Sequence, residues 1–189
     1  LIVIDAARGI GNGCVFPAGP LRAPLPPQIA RTDALIVIGT GESADGIATS
    51  ARTSGASVLR ARLVPDQASL DQLRGQRVLA FAGIGDPARF FATLRSSGVD
   101  VIEERIFADH HPFTPDEIGR LASAGAAKSL MLVTTEKDMA RIRSDVRLQK
   151  YADKTSAFAV TLAFDDEAKL KDFVAARLTK ARARPIRPS

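Results

Sequence analysis

Seven short apolar runs punctuate the chain, at residues 1–4, 34–38, 58–64, 78–82, 99–107, 130–133 and 158–162. Most do not alternate with polar residues and are rich in valine and isoleucine, as strands covered on both faces are. Helix signals fill the gaps between them. Asp86 followed by Pro87 opens one helix, with Phe90, Phe91 and Leu94 as its buried stripe and Gly98 closing it. Thr114-Pro115-Asp116-Glu117 reads as a capping box ahead of Ile118 and Leu121, and Thr135-Glu136-Lys137-Asp138 as a second ahead of Met139 and Ile142. Residues 165–180 fit a last amphipathic helix with Leu170, Phe173, Val174 and Leu178 turned inward. Strands and helices that alternate with short links predict an α/β fold, layered and Rossmann-like, with a mainly parallel sheet.

Residues 9–27 break this rhythm. They hold five of the 11 prolines and four of the 14 glycines, and offer no stretch long enough for a regular helix. The expected organisation places a seam there. Residues 1–30 would be the end of one domain plus a linker loop or hairpin, and residues 31–189 an α/β domain with a basic C-terminal helix and tail. The run Leu1-Ile2-Val3-Ile4-Asp5 has no polar lead-in, and a chain rarely begins inside a core strand, so a preceding segment is expected.

Composition narrows the function. Of 189 residues, 46% are hydrophobic and 25% charged, which are globular values. No apolar run approaches the ~20 residues of a membrane-spanning helix. Cys14 is the sole cysteine, so no internal disulfide forms, and two histidines with one cysteine make a zinc site only with carboxylate help. A reduced, cytosolic-side protein is the default expectation. Residues 177–189 hold five of the 26 basic residues and no acid, so the rest of the chain balances its 21 acids. A neutral body with 5% aromatic residues and no tryptophan is a poor nucleic-acid platform. The basic tail suits either plain solvation or contact with anionic lipid.

Several stretches carry candidate chemistry. Gly39-Thr40-Gly41-Glu42-Ser43-Ala44 and Gly83-Ile84-Gly85-Asp86-Pro87-Ala88 both fit G-x-G-x-x-A after a strand, and Glu103 lies where a ribose-binding acid would sit. Against a dinucleotide site, Asp86 and Pro87 would bring negative charge and a missing N–H to the pyrophosphate. Arg8-Gly9-Ile10-Gly11-Asn12-Gly13 and Pro17-Ala18-Gly19-Pro20-Leu21-Arg22 suit phosphate or carboxylate contact, and equally a turn-rich connector. Asp109-His110-His111 places both histidines just past a strand, where ligands meet open parallel sheets; a surface turn leading into Pro112 is the other reading. No stretch reads G-x-x-x-x-G-K-[ST], the phosphate-cradling P-loop.

Five of these motifs occur in one order: Ile4 to Gly13, Pro17 to Arg22, Phe81 to Phe91, Phe107-Ala108-Asp109-His110-His111, and Thr134 to Asp138. Together they resemble the tetraacyldisaccharide 4'-kinases, the lipid A kinases of Gram-negative bacteria, over residues 1 to about 145. The resemblance implies a P-loop kinase of which this chain is the C-terminal part, with the P-loop and N-terminal part outside it. It implies transfer of the ATP γ-phosphoryl group, with Mg2+, to the 4'-hydroxyl of a tetraacyldisaccharide 1-phosphate. That reaction takes place at the cytoplasmic face of the inner membrane, with the protein peripheral or anchored through the N-terminal part.

By the same resemblance His110 matches a histidine that pairs with an upstream aspartate as the base, while Asp109 sets the strand-end geometry. Arg22 matches an active-site arginine, and Asn12 falls in the motif assigned to substrate. Ala23 stands where the family often has glutamate. The 83–91 and 134–138 motifs would position nucleotide or join two halves, with capping expected for Thr135 and Asp138 and core packing for Phe90 and Phe91. No metal ligand is expected in this chain. The alternative is a non-catalytic Rossmann-like module that binds a dinucleotide or nucleotide-sugar.

Overall fold

The computed structural model describes residues 1–183. Along them run β1 (Ile2–Asp5), α1 (Leu25–Ala30), β2 (Ala34–Ile38), α2 (Asp45–Thr53), β3 (Ser57–Pro65), α3 (Gln67–Leu73), β4 (Arg77–Ala82), α4 (Pro87–Ser96), β5 (Asp100–Ile106), α5 (Pro115–Ala127), β6 (Met131–Thr135), α6 (Glu136–Ser144), α7 (Gln149–Ala152), β7 (Thr155–Phe158), β8 (Val160–Phe164) and α8 (Glu167–Arg182). The chain divides into two compact units, Leu1–Val64 with Leu162–Ser189, and Pro65–Thr161. The seam expected near residue 30 falls inside the first of these. The reason is pairing: β1 lies parallel to β2 across the glycine- and proline-rich loop, register Ile2 to Leu35 through Asp5 to Ile38.

The first unit is built on a sheet of order β1-β2-β3-β8, with β1, β2 and β3 parallel. Successive side chains of β2 point to opposite faces, so Leu35 and Val37 pack with Ile4, Ile47, Ala48 and Val58, while Ile36 packs with Leu59, Ala61 and Leu162. Helix α1 begins inside the proline-rich stretch, where no helix is expected from sequence, because prolines in a first turn remove N–H groups that have no intrahelical partner. Helix α8 also departs from expectation. Val174 and Leu178 are 44% and 51% exposed, and the side turned inward runs through Leu170, which joins the Ile36 cluster, and Phe173, over whose ring the Arg177 guanidinium lies at 5.2 Å. Arg177 continues that side and reaches Asp33 at 2.7 Å, so the polar anchor rotates Val174 and Leu178 outward.

The second unit is a four-stranded, wholly parallel sheet of order β5-β4-β6-β7. Strand β4 is buried on both faces. Val78, Ala80 and Ala82 pack under α4 with Phe90, Phe91 and Leu94, and Leu79 and Phe81 pack with Phe113, Ile118, Leu121 and Ile142. Each such large apolar side chain contributes about 1.5–3 kcal/mol through burial. The expected single strand over 158–162 is instead β7 and β8, separated at Ala159, whose N–H donates to Ser69 Oγ (3.2 Å) and whose carbonyl accepts from Asp66 N–H (3.0 Å). Strand order reverses at β4: the chain passes from β4 out to β5, then back over to β6 on the other side. In open parallel sheets ligands gather outside the carboxyl ends of the strands at such a switch point. Here that point is bounded by Gly83, after β4, and Thr135, ending β6.

Candidate active site at the strand switch point

Asp138 sits over the switch point with its side chain wholly buried. Helix α6 starts there because Thr135 caps it, accepting from the Asp138 N–H at 3.1 Å, which turns the Asp138 carboxylate back toward β4. Its Oδ2 accepts from the Gly83 N–H (2.9 Å) and the Thr135 hydroxyl (2.9 Å), and its Oδ1 from Arg141 Nη1 (2.7 Å). Asp138 therefore does more than cap. Arg141 Nη1 also donates to the Gly83 carbonyl at 2.8 Å, and Nη2 meets His110 Nδ1 at 3.1 Å. Thr134 secures the floor by donating to the Phe81 carbonyl at 2.8 Å.

Asp109 and His110 follow β5 on a tight turn closed by His111 N–H to the Ala108 carbonyl (3.1 Å). The His110 ring is 75% exposed, with Nε2 at 3.9 Å from Asp109 Oδ1. A Cβ on Gly85 would lie 3.2 Å from Asp109 Oδ2, so glycine there leaves the carboxylate its place. A cleft of about 460 Å³ opens alongside, lined among others by His110, His111, Phe113, Arg141 and Arg147.

His111 faces the other way. Its ring packs at 5.0 Å from Phe107 and 5.5 Å from Phe113, and its Nε2 bonds both Glu117 oxygens at 3.1 Å. The Thr114 backbone N–H, with His111 and the Thr114 hydroxyl, holds the Glu117 carboxyl at about 2, below its ordinary 4.5. A depressed carboxyl contributes stability that is present above the ordinary value and lost as pH falls through the depressed one. Melting temperature is thus expected to fall more steeply between pH 4.5 and 2 in the parent than in Glu117→Gln. Parallel curves would show that the capping box carries no such linkage.

Asn12 and Arg22 lie in the first unit. Asn12 braces its own loop, its amide donating to the Ala18 carbonyl (2.8 Å) and accepting from the Cys14 N–H (3.1 Å). Arg22 is exposed, with no hydrogen-bond or ion-pair partner among the described residues.

The two glycine fingerprints serve the fold. A Cβ on Gly41, at φ +138, would lie 2.8 Å from the Ala6 carbonyl oxygen, so the β1 loop fills that turn. In the other fingerprint the Gly83 N–H is held by Asp138, α4 is capped by Asp86 receiving the Arg89 N–H, and Glu103 bonds Lys128 and Arg105. The first amide of that fingerprint and the acid that a dinucleotide would use are taken. Among the described residues no group of three or more His, Cys, Asp or Glu converges as a metal site. With no P-loop pattern in the sequence either, these residues by themselves do not fit Mg2+ and a triphosphate.

A parallel α/β sheet with a histidine and a buried carboxylate–guanidinium pair at its switch point is an α/β architecture of the Rossmann-like kind, in which ligands gather at that point. The chain belongs to the tetraacyldisaccharide-1-P 4'-kinase family, LpxK, whose family model matches residues 1–179. It is 63% identical over 183 residues to a tetraacyldisaccharide 4'-kinase of Rhodopseudomonas palustris strain CGA009, covering 97% of this chain and 53% of that protein. A relative of the same name from Nitrobacter winogradskyi is 59% identical, covering 96% and 54%. The chain thus spans about half the length of the curated relatives it matches. Among solved structures, LpxK from Aquifex aeolicus in complex with ATP superposes with a TM-score of 0.57 at 24% identity, covering 92% of this chain and 51% of that one. That likeness shows the fold.

Proposed function

We propose that the chain is the C-terminal part of a lipid A biosynthesis kinase that transfers the ATP γ-phosphoryl group to the 4'-hydroxyl of a tetraacyldisaccharide 1-phosphate, and that it is inactive alone. Family membership at up to 63% identity carries this reading, and the charged cluster at the switch point supports it. Phosphoryl transfer depends on positioning, charge neutralisation and removal of the hydroxyl proton. His110 is the residue of this chain assigned to the proton-drawing pair, with Asp109 shaping its turn. Arg22 and Asn12 are assigned to the substrate, Arg22 to its phosphate or sugar. ATP and Mg2+ are held by the part of the protein that carries the P-loop. The test is phosphate transfer from ATP to the 4' position of a detergent-dispersed lipid disaccharide. The full-length protein is expected to perform it and residues 1–189 alone to be silent. A full-length protein that transfers nothing, or an active 189-residue chain, overturns the reading.

The site of action in this reading is the cytoplasmic membrane surface, with lipid as partner and no nucleic acid. No helix among the described residues is long and apolar enough to cross a membrane. The end of α8 carries Lys180 and Arg182, and Arg184 and Arg187 lie outside the described residues. Each Lys or Arg near an anionic surface contributes about 1 kcal/mol, less as salt rises. Replacing Arg182, Arg184 and Arg187 with glutamine is expected to reduce co-sedimentation with anionic vesicles at low salt. Unchanged binding removes the tail from the membrane contact.

A further inference from the structure

His110 is the third residue of the turn closed by His111 N–H on the Ala108 carbonyl, and it takes a positive φ there. Its φ is +59, the left-handed region, which is disfavoured for a residue with a Cβ by about 1–2 kcal/mol. Strain of this kind persists where the surroundings over-determine it. Beyond the turn's own bond, two more do so here. The His110 N–H donates to the Gly83 carbonyl at 3.1 Å, and its ring Nδ1 meets Arg141 Nη2 at 3.1 Å. Gly83 and Arg141 are themselves locked together, since the Gly83 carbonyl also accepts from Arg141 Nη1 at 2.8 Å and the Gly83 N–H donates to Asp138 at 2.9 Å. Main chain and ring of His110 are therefore gripped by one assembly whose base is the wholly buried Asp138 carboxylate.

The chemistry of the grip is one-sided. A guanidinium has only donors and stays charged, so the nitrogen it meets must present a lone pair. His110 Nδ1 is then the acceptor, and a neutral ring carries its proton on Nε2. Among the described residues, Nε2 has no partner closer than Asp109, at 3.9 Å, on a ring that is 75% exposed. It is the one left to meet the reacting groups.

The geometry points to Arg141, seated on Asp138, as a positioning residue that fixes the tautomer and direction of His110, so that Nε2 presents an N–H to an anionic oxygen in the transfer site. This rests on the assignment of His110 to the transfer machinery made above. Arg141 itself touches no reacting atom in this scheme. Asp138 requires a cation, and any cation would serve that need; the second terminal nitrogen on His110 is what a purely structural role leaves unexplained.

The experiment uses the full-length protein, 15N-labelled at histidine, with Arg141→Leu and Arg141→Lys variants and the His110 ring signals assigned by their loss in His110→Ala. Long-range 1H–15N spectra are recorded near pH 9, where rings of ordinary histidines are neutral. The parent is expected to show the Nε2–H form, and Arg141→Leu a mixture of both forms. Turnover of Arg141→Leu should fall about 10–100-fold at saturating substrates, the scale on which misplacing a reacting group acts, with KM changing far less. Arg141→Lys keeps a charged donor and should recover part of the turnover. A parent ring in the Nδ1–H form overturns the proposal, as does an Arg141→Leu variant with unchanged ring signals and unchanged turnover. If Arg141→Leu does not fold, the parent spectrum and the Lys variant decide. If His110→Ala turns over like the parent, the assignment of His110 fails, while the ring spectra still judge the tautomer.

Discussion

Replacing His110 with alanine in the full-length kinase is expected to lower kcat by about 10²–10⁴-fold with KM moving much less, the scale on which losing one member of a positioned proton-drawing pair acts. The structure separates this from a loss of stability. The ring is 75% exposed and among the described residues makes one side-chain hydrogen bond, to the partly exposed Arg141, so its removal opens no cavity in the core. Alanine keeps the Cβ and hence the backbone strain at φ +59, so melting temperature should stay close to that of the parent. His111→Ala should behave in the opposite manner. Its ring packs on Phe107 and Phe113 and bonds Glu117, so that variant should lose stability at the start of α5 with a milder effect on turnover. Both are assayed with saturating ATP and detergent-dispersed lipid acceptor. Equal turnover for His110→Ala and parent would reject the assignment and leave the Asp109 to His111 turn as a piece of surface.

Parts of the fold were legible where the local signal and the tertiary demand agree. The unalternating run at 34–38 becomes β2 because both faces of that strand are covered, and Thr114, Asp86 and Thr135 cap α5, α4 and α6 through their own side chains. Other parts were not. In α8 the sequence offers Leu170, Phe173, Val174 and Leu178 as equals, and the choice among them is made by Arg177 reaching Asp33, a partner 144 positions away that no helical periodicity encodes. The break at Ala159 depends on Ser69 and Asp66.

The site divides in the same way. Asp109-His110 was readable because both histidines follow a strand in a parallel architecture. Asp138 was readable only as a cap. Its links to Gly83 span 55 positions, and those of Arg141 to His110 span 31, distances set by β4 lying between β5 and β6. One local trace of the clamp was present: Thr135, Asp138 and Arg141 are spaced by three, which puts them on one side of the first turns of α6. The sequence alone does not mark Arg141, because an i, i+3 acid–base pair at a helix start is ordinarily a solvated surface pair. Burial of Asp138 is what changes its meaning.

That burial sets the second large effect. Asp138→Ala is expected to destabilise the protein by about 3–5 kcal/mol, the range for breaking a buried ion pair from one side. The Asp138 side chain is wholly buried while that of Arg141 is 27% exposed, so the orphaned guanidinium regains some water and the lower end of the range applies. The buried Gly83 N–H and the half-buried Thr135 hydroxyl lose their acceptor as well. Thr135→Ala provides the scale for capping alone, about 1 kcal/mol, because it removes the cap and leaves Asp138 with Gly83 and Arg141. Asp138→Asn should fall between the two, retaining an oxygen for one donor while losing the charge that holds Arg141. Denaturant or thermal unfolding of the three variants reads the order directly. If Asp138→Ala costs no more than Thr135→Ala, the carboxylate is only a cap and the clamp on Gly83 contributes nothing. If it costs several-fold more, the stability of the unit and the placement of His110 rest on the same buried group, and selection for either one would retain the other.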